Sequence, residues 1–328
     1  MIKPAVMAGA DYFGAHRRKS SEPRLWVLMY HRILPLDDPR FALEEPGMIV
    51  QPDTFDMHLE EVQKHFDVVS LGEWVHANQN GEPVPKKACA ITFDDGWLDN
   101  YEYALPVLKA HGLPATLFVV AEKMGTDFQF WPNIVAGLLH GGGAGAELAR
   151  HPVFREAISS QSREGNREAI AVTIQRLKVH TDDTIFQALA DLNWRTLLDK
   201  PLAPALMNWQ QVKEMLDTGR VEIGSHTCSH RRLNGDVAQD ALHHEIVHSK
   251  ALLEEQTGRP VDLFCFPNGD YTAPALDLVQ RHYLAAVTTR SGINRGETLQ
   301  SHELTRLGMH DDISNSRRRF NARLSGWI

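Results

Sequence analysis

Two short strings, Thr92-Phe93-Asp94-Asp95-Gly96 and Ser225-His226-Thr227-Cys228-Ser229-His230, set two adjacent carboxylates against two imidazoles four positions apart. Neutral imidazole and carboxylate are the ligand types that a borderline divalent ion such as zinc takes, and a catalytic centre uses three of them while keeping a position open for water. Asp95, His226 and His230 make such a set, and Asp94 is left to deprotonate the water. Asp-Asp-Gly alone also fits a turn, and His-x-x-x-His alone also fits a solvated surface. Their setting favours chemistry: Cys89 to Phe93 and Val221 to Gly224 both read as buried strands whose C-terminal ends deliver the polar residues.

A second string competes for the metal. His244-Glu245-Ile246-Val247-His248 fits the zinc-protease pattern H-E-x-x-H, which on a helix places both imidazoles on one face with Glu245 as base. At 100° per residue, however, Leu242, Ile246 and Leu253 gather on one side and His244 and His248 point away from it, toward solvent. No third ligand in the expected context follows. With 17 histidines in 328 residues the match also carries little weight, so the protease reading is disfavoured.

The first two strings resemble the opening motifs of the NodB-type polysaccharide deacetylases, T-F-D-D-G and H-(S/T)-x-x-H. The likeness extends to Leu263-Phe264-Cys265-Phe266-Pro267-Asn268-Gly269, similar to the family's strand-borne proline motif, and to the string Val27-Leu28-Met29-Tyr30-His31-Arg32. It covers roughly residues 24 to 310. The resemblance implies an irregular (β/α) barrel that removes N- or O-linked acyl groups from sugars. It also implies Asp94 as general base, Asp95, His226 and His230 as metal ligands, and substrate or oxyanion positions at Pro267, Asn268 and Tyr30. Asn268 stands where the family has a tyrosine whose backbone N–H holds the oxyanion, a change that a main-chain donor tolerates. Cys265 stands where the family has the arginine that orients the base. Arg290, Arg295 and Arg306 are the substitutes within reach along the chain. The family's general acid is a histidine at a strand end, and both His31 and His310 match, with His31 favoured by its Tyr-His-Arg context. The first and last strands of a closed barrel are neighbours, so either serves one pocket.

The elements that must position these residues alternate. Apolar strand-like runs at Leu25–Tyr30, Ala88–Phe93, Ala115–Val120, Val221–Gly224, Leu263–Phe266, Leu284–Thr288 and Thr305–Met309 are separated by helical patterns, which argues a parallel sheet. Asn208 with Gln211 three later reads as a helix start, and Gly219 and Gly258 as helix ends. The chemical residues fall just past strand C-termini, the active-site face of a (β/α) barrel. Residues 1–23 form an N-terminal extension and 24–328 a single barrel domain, with a mostly helical insertion at about 125–207 interrupted by Gly141-Gly142-Gly143. Phe128, Phe130 and Trp131 in that insertion serve either to stack on sugars or to pack a core.

The chain has 34 basic and 42 acidic residues, net −8, which gives no electrostatic support to nucleic-acid binding. Three scattered cysteines suggest no disulfide framework. Neither a signal-peptide core nor an 18-residue apolar run is evident, so the expected location is the cytoplasm, with membrane contact at most peripheral through the basic C-terminal segment. The expected function is a metal-dependent deacetylase, the expected ion Zn2+, with Co2+, Ni2+, Mn2+ or Fe2+ as alternatives. Its partner is an acetylated sugar, oligosaccharide or glycan precursor. Two alternatives stand beside it: a hydrolase of a small amide or formyl group, and a catalytically reduced glycan-binding barrel. Oligomeric state is not legible.

Overall fold

The computed structural model describes residues 4–140, 143–235 and 237–327, so Gly141 and Gly142 of the glycine run lie outside the described residues. Seven strands carry the fold: β1 (Arg24–Tyr30), β2 (Lys87–Phe93), β3 (Ala115–Val119), β4 (Val221–Ser225), β5 (Leu263–Cys265), β6 (Ala285–Val287) and β7 (Leu307–Gly308). All pair in parallel, in the spatial order β7-β1-β2-β3-β4-β5-β6. They read as continuous apolar runs because helices cover them, and Leu25, Val27, Ala90, Ile91, Leu117 and Phe264 are fully buried. Val287 of β6 bridges Leu304, just before β7, so the sheet curls round toward its own first strand. This is the parallel sheet that the alternation predicts, curled into the irregular (β/α) barrel that the resemblance implies. Short strands at Asp67–Val68 and Asn294–Arg295 flank β2 and β1.

The helix ends follow their local chemistry. Asn208 and Gln211 form a reciprocal capping box on the helix Trp209–Leu216, and Gly258, at φ 66°, ends Ser249–Thr257 in the left-handed region that glycine enters without strain.

The chain divides into two compact units, one of residues 1–33, 50–126 and 206–328, the other of 34–49 and 127–205. The barrel belongs to the first. Its helix Arg317–Leu324 lies against the body of that unit, with Phe320 stacked on His58 at 4.0 Å between ring centres and the Leu324 carbonyl accepting from Trp26 Nε1 at 2.9 Å. The apolar side of this basic segment is therefore spent on docking. In the second unit, helices Trp131–His140, Arg167–Leu177 and Asp182–Asp191 enclose Val135, Leu139, Phe154, Ile174 and Leu189. Asn133 Nδ2 donates to Glu44 Oε2 at 2.9 Å, which ties residues 34–49 to it. Phe130 and Trp131 are buried, and Trp131 Nε1 donates to Asp182 Oδ1, so these two aromatics pack a core. Among the described residues no helix is long and apolar enough to cross a membrane.

Candidate active site

Strand β2 extends its ladder one residue, the Asp94 N–H donating to the Tyr30 carbonyl at 3.0 Å, and β4 does the same, His226 N–H donating to the Val119 carbonyl at 2.9 Å. The chain then turns sharply. Asp95 (φ 74°), Thr227 (φ 68°), His230 (φ 66°) and, after β5, Asn268 (φ 56°) all lie in the left-handed region. Each such non-glycine residue costs of order 1–3 kcal/mol and persists where surrounding structure holds it, typically at ligand-binding sites. Here the turns aim side chains at one point above the strand ends.

That point is occupied by Asp95 Oδ1, with His226 Nε2 at 3.2 Å and His230 Nε2 at 3.3 Å. His226 Nδ1 donates to the Cys265 carbonyl at 2.8 Å, which fixes the tautomer and leaves Nε2 as the ring's lone-pair nitrogen. Trp97 Nε1 donates to Asp95 Oδ2 at 2.8 Å and so turns Oδ1 toward the imidazoles. Oδ1 is buried and, among the described residues, has no hydrogen-bond donor of proper geometry. An orphaned carboxylate oxygen facing two imidazole nitrogens is the donor set of a zinc-class cation, and the three ligand atoms lie within 4.8 Å of one another.

Asp94 has a different partner. Arg306, fully buried, takes both its oxygens in a fork, Nη1 to Oδ1 and Nη2 to Oδ2, each at 2.7 Å. The same guanidinium donates to the Thr288 carbonyl at 2.9 Å and meets Cys265 Sγ at 3.3 Å. Of the three arginines, Arg306 is thus the one that reaches Asp94. Arg290 instead pairs with Glu303 at 2.8 Å, and Arg295 with Glu22 at 3.3 Å. Burial alone would raise the Asp94 pKa; the charge and hydrogen bonds of Arg306 reverse this and hold it below the ordinary value, so Asp94 is an anion. Cys265 also offers its sulfur near Asp94 and His226, but burial pushes its pKa up and keeps it a thiol, a poor ligand.

His31 Nε2 lies 3.8 Å from Asp94 Oδ2, with its side chain 21% exposed, so it faces both the anion and solvent. The His310 ring turns instead to its own helix start, Nδ1 meeting Asp312 Oδ2 at 3.2 Å. Pro267 and Asn268 follow β5 at the same sheet edge, the Asn268 carbonyl accepting from Thr289 Oγ1 at 3.1 Å. Tyr30 does not join the site through its side chain: the ring is wholly buried against Phe55 and Phe93, and its hydroxyl meets His58 Nδ1 at 3.1 Å. Side chains alternate across a strand, and this one points to the helix-covered face while its carbonyl holds Asp94.

Two further residues matter that sequence reasoning missed. Glu245, the acid of the H-E-x-x-H string, is buried and accepts from the backbone N–H groups of Cys228 and Ser229, each at 2.9 Å, and from Ser229 Oγ. It braces the loop between His226 and His230 and is turned away from His244, which is 47% exposed. Trp97 is the other, and under it Arg32 stacks at 4.0 Å while pairing with buried Asp99 at 2.7 Å.

A family model for polysaccharide deacetylase matches residues 81–186 and 193–287. The Bacillus subtilis protein named "Putative polysaccharide deacetylase YxkH" is 31% identical over 122 residues, 33% of this chain and 36% of that protein. The poly-beta-1,6-N-acetyl-D-glucosamine N-deacetylase of Escherichia coli K12 is 34% identical over 61 residues, 19% of this chain and 9% of that one. The matches thus span about a third or less of these relatives' lengths. Among solved structures, the deacetylase PplD of Streptococcus pyogenes, in complex with acetate, superposes with a TM-score of 0.59 at 22% identity, covering 90% of this chain and 96% of its own. That likeness speaks to the fold.

Proposed function

This chain belongs to the polysaccharide deacetylase family, and from that premise we propose that it is a metal-dependent hydrolase that removes the acetyl group from the nitrogen of an amino sugar in a glycan or glycan precursor. One observation carries the reading: an anionic carboxylate, Asp94, is held by Arg306 directly beside the Asp95–His226–His230 donor set, with the His31 imidazole 3.8 Å away. Asp95, His226 and His230 would hold a zinc-class ion, which when bound would polarise the acyl carbonyl and lower the pKa of water to about 7. Asp94 takes the proton of the attacking water. Arg306 keeps the Asp94 oxygens in place through the transfer, and the buried fork admits little rotation. His31 donates a proton to the departing sugar nitrogen, which must leave as an amine. Pro267 and Asn268 line the same edge, where a main-chain donor meets the developing oxyanion. The Arg306 fork also weighs against a catalytically reduced barrel, because the role vacated at Cys265 is filled. The E. coli relative's name makes β-1,6-linked N-acetylglucosamine oligomers the first substrate to try.

The test is acetate release from N-acetylglucosamine oligomers of β-1,6 and β-1,4 linkage, with Zn2+ or Co2+ supplied, alongside metal analysis. Asp94→Asn should keep its metal and lose about 10²- to 10⁴-fold in turnover. Asp95→Asn should lose metal, because an amide oxygen is the poorer ligand for a dication. His31→Ala should lose turnover with metal retained, and His310→Ala should lose neither. Equal metal loss in the two aspartate variants, or no acetate from any acetylated sugar, overturns the reading.

A further inference from the structure

The H-E-x-x-H string is not part of the centre described above, yet its two histidines are not idle surface groups. His244 to His248 form a single π-helical turn inserted between the helices Gln239–His243 and Ser249–Thr257. Such insertions are frequent at functional sites, where they re-aim side chains at the expense of regular hydrogen bonding. Here the turn faces Glu245 and Ile246 into the protein and leaves His244 and His248 outside, their rings stacked 5.0 Å apart at 23°. Opposite them stands Glu122, from the loop that follows β3, with Oε1 2.9 Å from His244 Nε2. One ligand atom each of Glu122, His244 and His248 lies within 4.8 Å of the other two.

We propose that Glu122, His244 and His248 form a second divalent-cation site, of the zinc, cobalt, nickel or copper class. Two imidazoles and one carboxylate are borderline donors, whereas calcium and magnesium require oxygen shells that this site does not offer. The ligands come from two elements that close on the same loop. The Glu122 N–H donates to the Cys228 carbonyl at 3.0 Å, Cys228 Sγ meets the His244 carbonyl at 3.2 Å, and Glu245 accepts from Cys228 and Ser229. An ion joining Glu122 to the two histidines clamps together the supports of the segment between His226 and His230. The H-E-x-x-H string thus acts as a brace and an outer ligand pair, with Glu122 taking the place that a protease gives to its third ligand.

Metal-free protein titrated with Zn2+, then ultrafiltered and analysed for bound metal, tests this. The wild type should hold about two equivalents, the outer one weaker because its ligands are more exposed. His248→Ala and Glu122→Gln should each hold about one, and Ca2+ should displace neither. Asp95→Asn separates this inference from the function proposed above: the outer equivalent should persist in it and vanish in Asp95→Asn/His248→Ala. Glu122→Gln preserves shape, and an unchanged melting temperature excludes misfolding as the cause of loss. A wild type with about one equivalent that Asp95→Asn abolishes overturns the inference. So does a second equivalent that survives both His248→Ala and Glu122→Gln.

Discussion

Asp95 has two oxygens with separate duties, one aimed at the imidazoles and one held by the indole N–H of Trp97. Trp97→Phe deletes the indole N–H and leaves a smaller aromatic ring for Arg32 to stack on. Metal affinity should fall about 10- to 100-fold, the usual size of a lost outer hydrogen bond, while turnover at saturating metal stays near that of the wild type. Competition with a chromogenic chelator reads the first quantity, and unchanged affinity would show that Oδ1 is positioned by the backbone turn alone. At this scale the candidate site was legible where its residues are contiguous: Asp94-Asp95 and His226 to His230 advertise themselves by type and spacing. Arg306 was only one of three choices, because 212 positions separate it from Asp94 and a buried guanidinium is placed by tertiary structure. Tyr30 was placed in the site by the resemblance of the string Val27 to Arg32, but successive side chains of an extended segment leave on opposite faces, and its ring is buried against Phe55 and Phe93.

At the level of strands and helices, each chemical residue depends on a tightly packed strand end. Gly224 in β4 shows how little room remains: a Cβ there would sit 2.4 Å from Phe118 Cδ1 of β3. Gly224→Ala must displace that ring or spread the two strands, and overpacking of this kind costs about 1–3 kcal/mol. Denaturant unfolding should show the loss, with a Phe118→Leu second change recovering part of it; additive losses would mean that the ring is not the obstacle. The seven strands were legible because each is a short apolar run bounded by helical pattern, and the capping box at Asn208 and Gln211 because its signal is local. The association of residues 34–49 with 127–205 was not, since Glu44 reaches Asn133 across 89 positions with no sequence mark on either.

Over the molecule as a whole, stability rests partly on the docked C-terminal helix, and this docking responds to acid. His58, wholly buried between Tyr30 and Phe320, has its pKa lowered by burial to about 4, only partly offset by its bond to the Ser314 carbonyl. The unfolded chain takes up this proton below about pH 6.5 and the folded chain does not until about pH 4. Stability is therefore full above pH 6.5 and declines through that window, by about 3 kcal/mol for 2.5 pH units of separation. His16, lowered to about 4 chiefly by burial, adds to the same slope. Denaturation midpoints at pH 7 and 4.5 should converge more closely in His58→Gln than in the wild type, and an unchanged slope would remove His58 from the account. The closure of the sheet has a kinetic side as well. Strand β1 is bonded to β2 on one edge and to β7 on the other, through Leu28 and Leu307. A ribosome adding 5–20 residues per second needs roughly 15 to 55 seconds to make the intervening chain. For that time the nascent β1 presents a bare, apolar edge with its final neighbour not yet synthesised, a template for pairing with other chains. Aggregation during rapid expression should accordingly depend on the rate of synthesis more than on the stability of the finished protein.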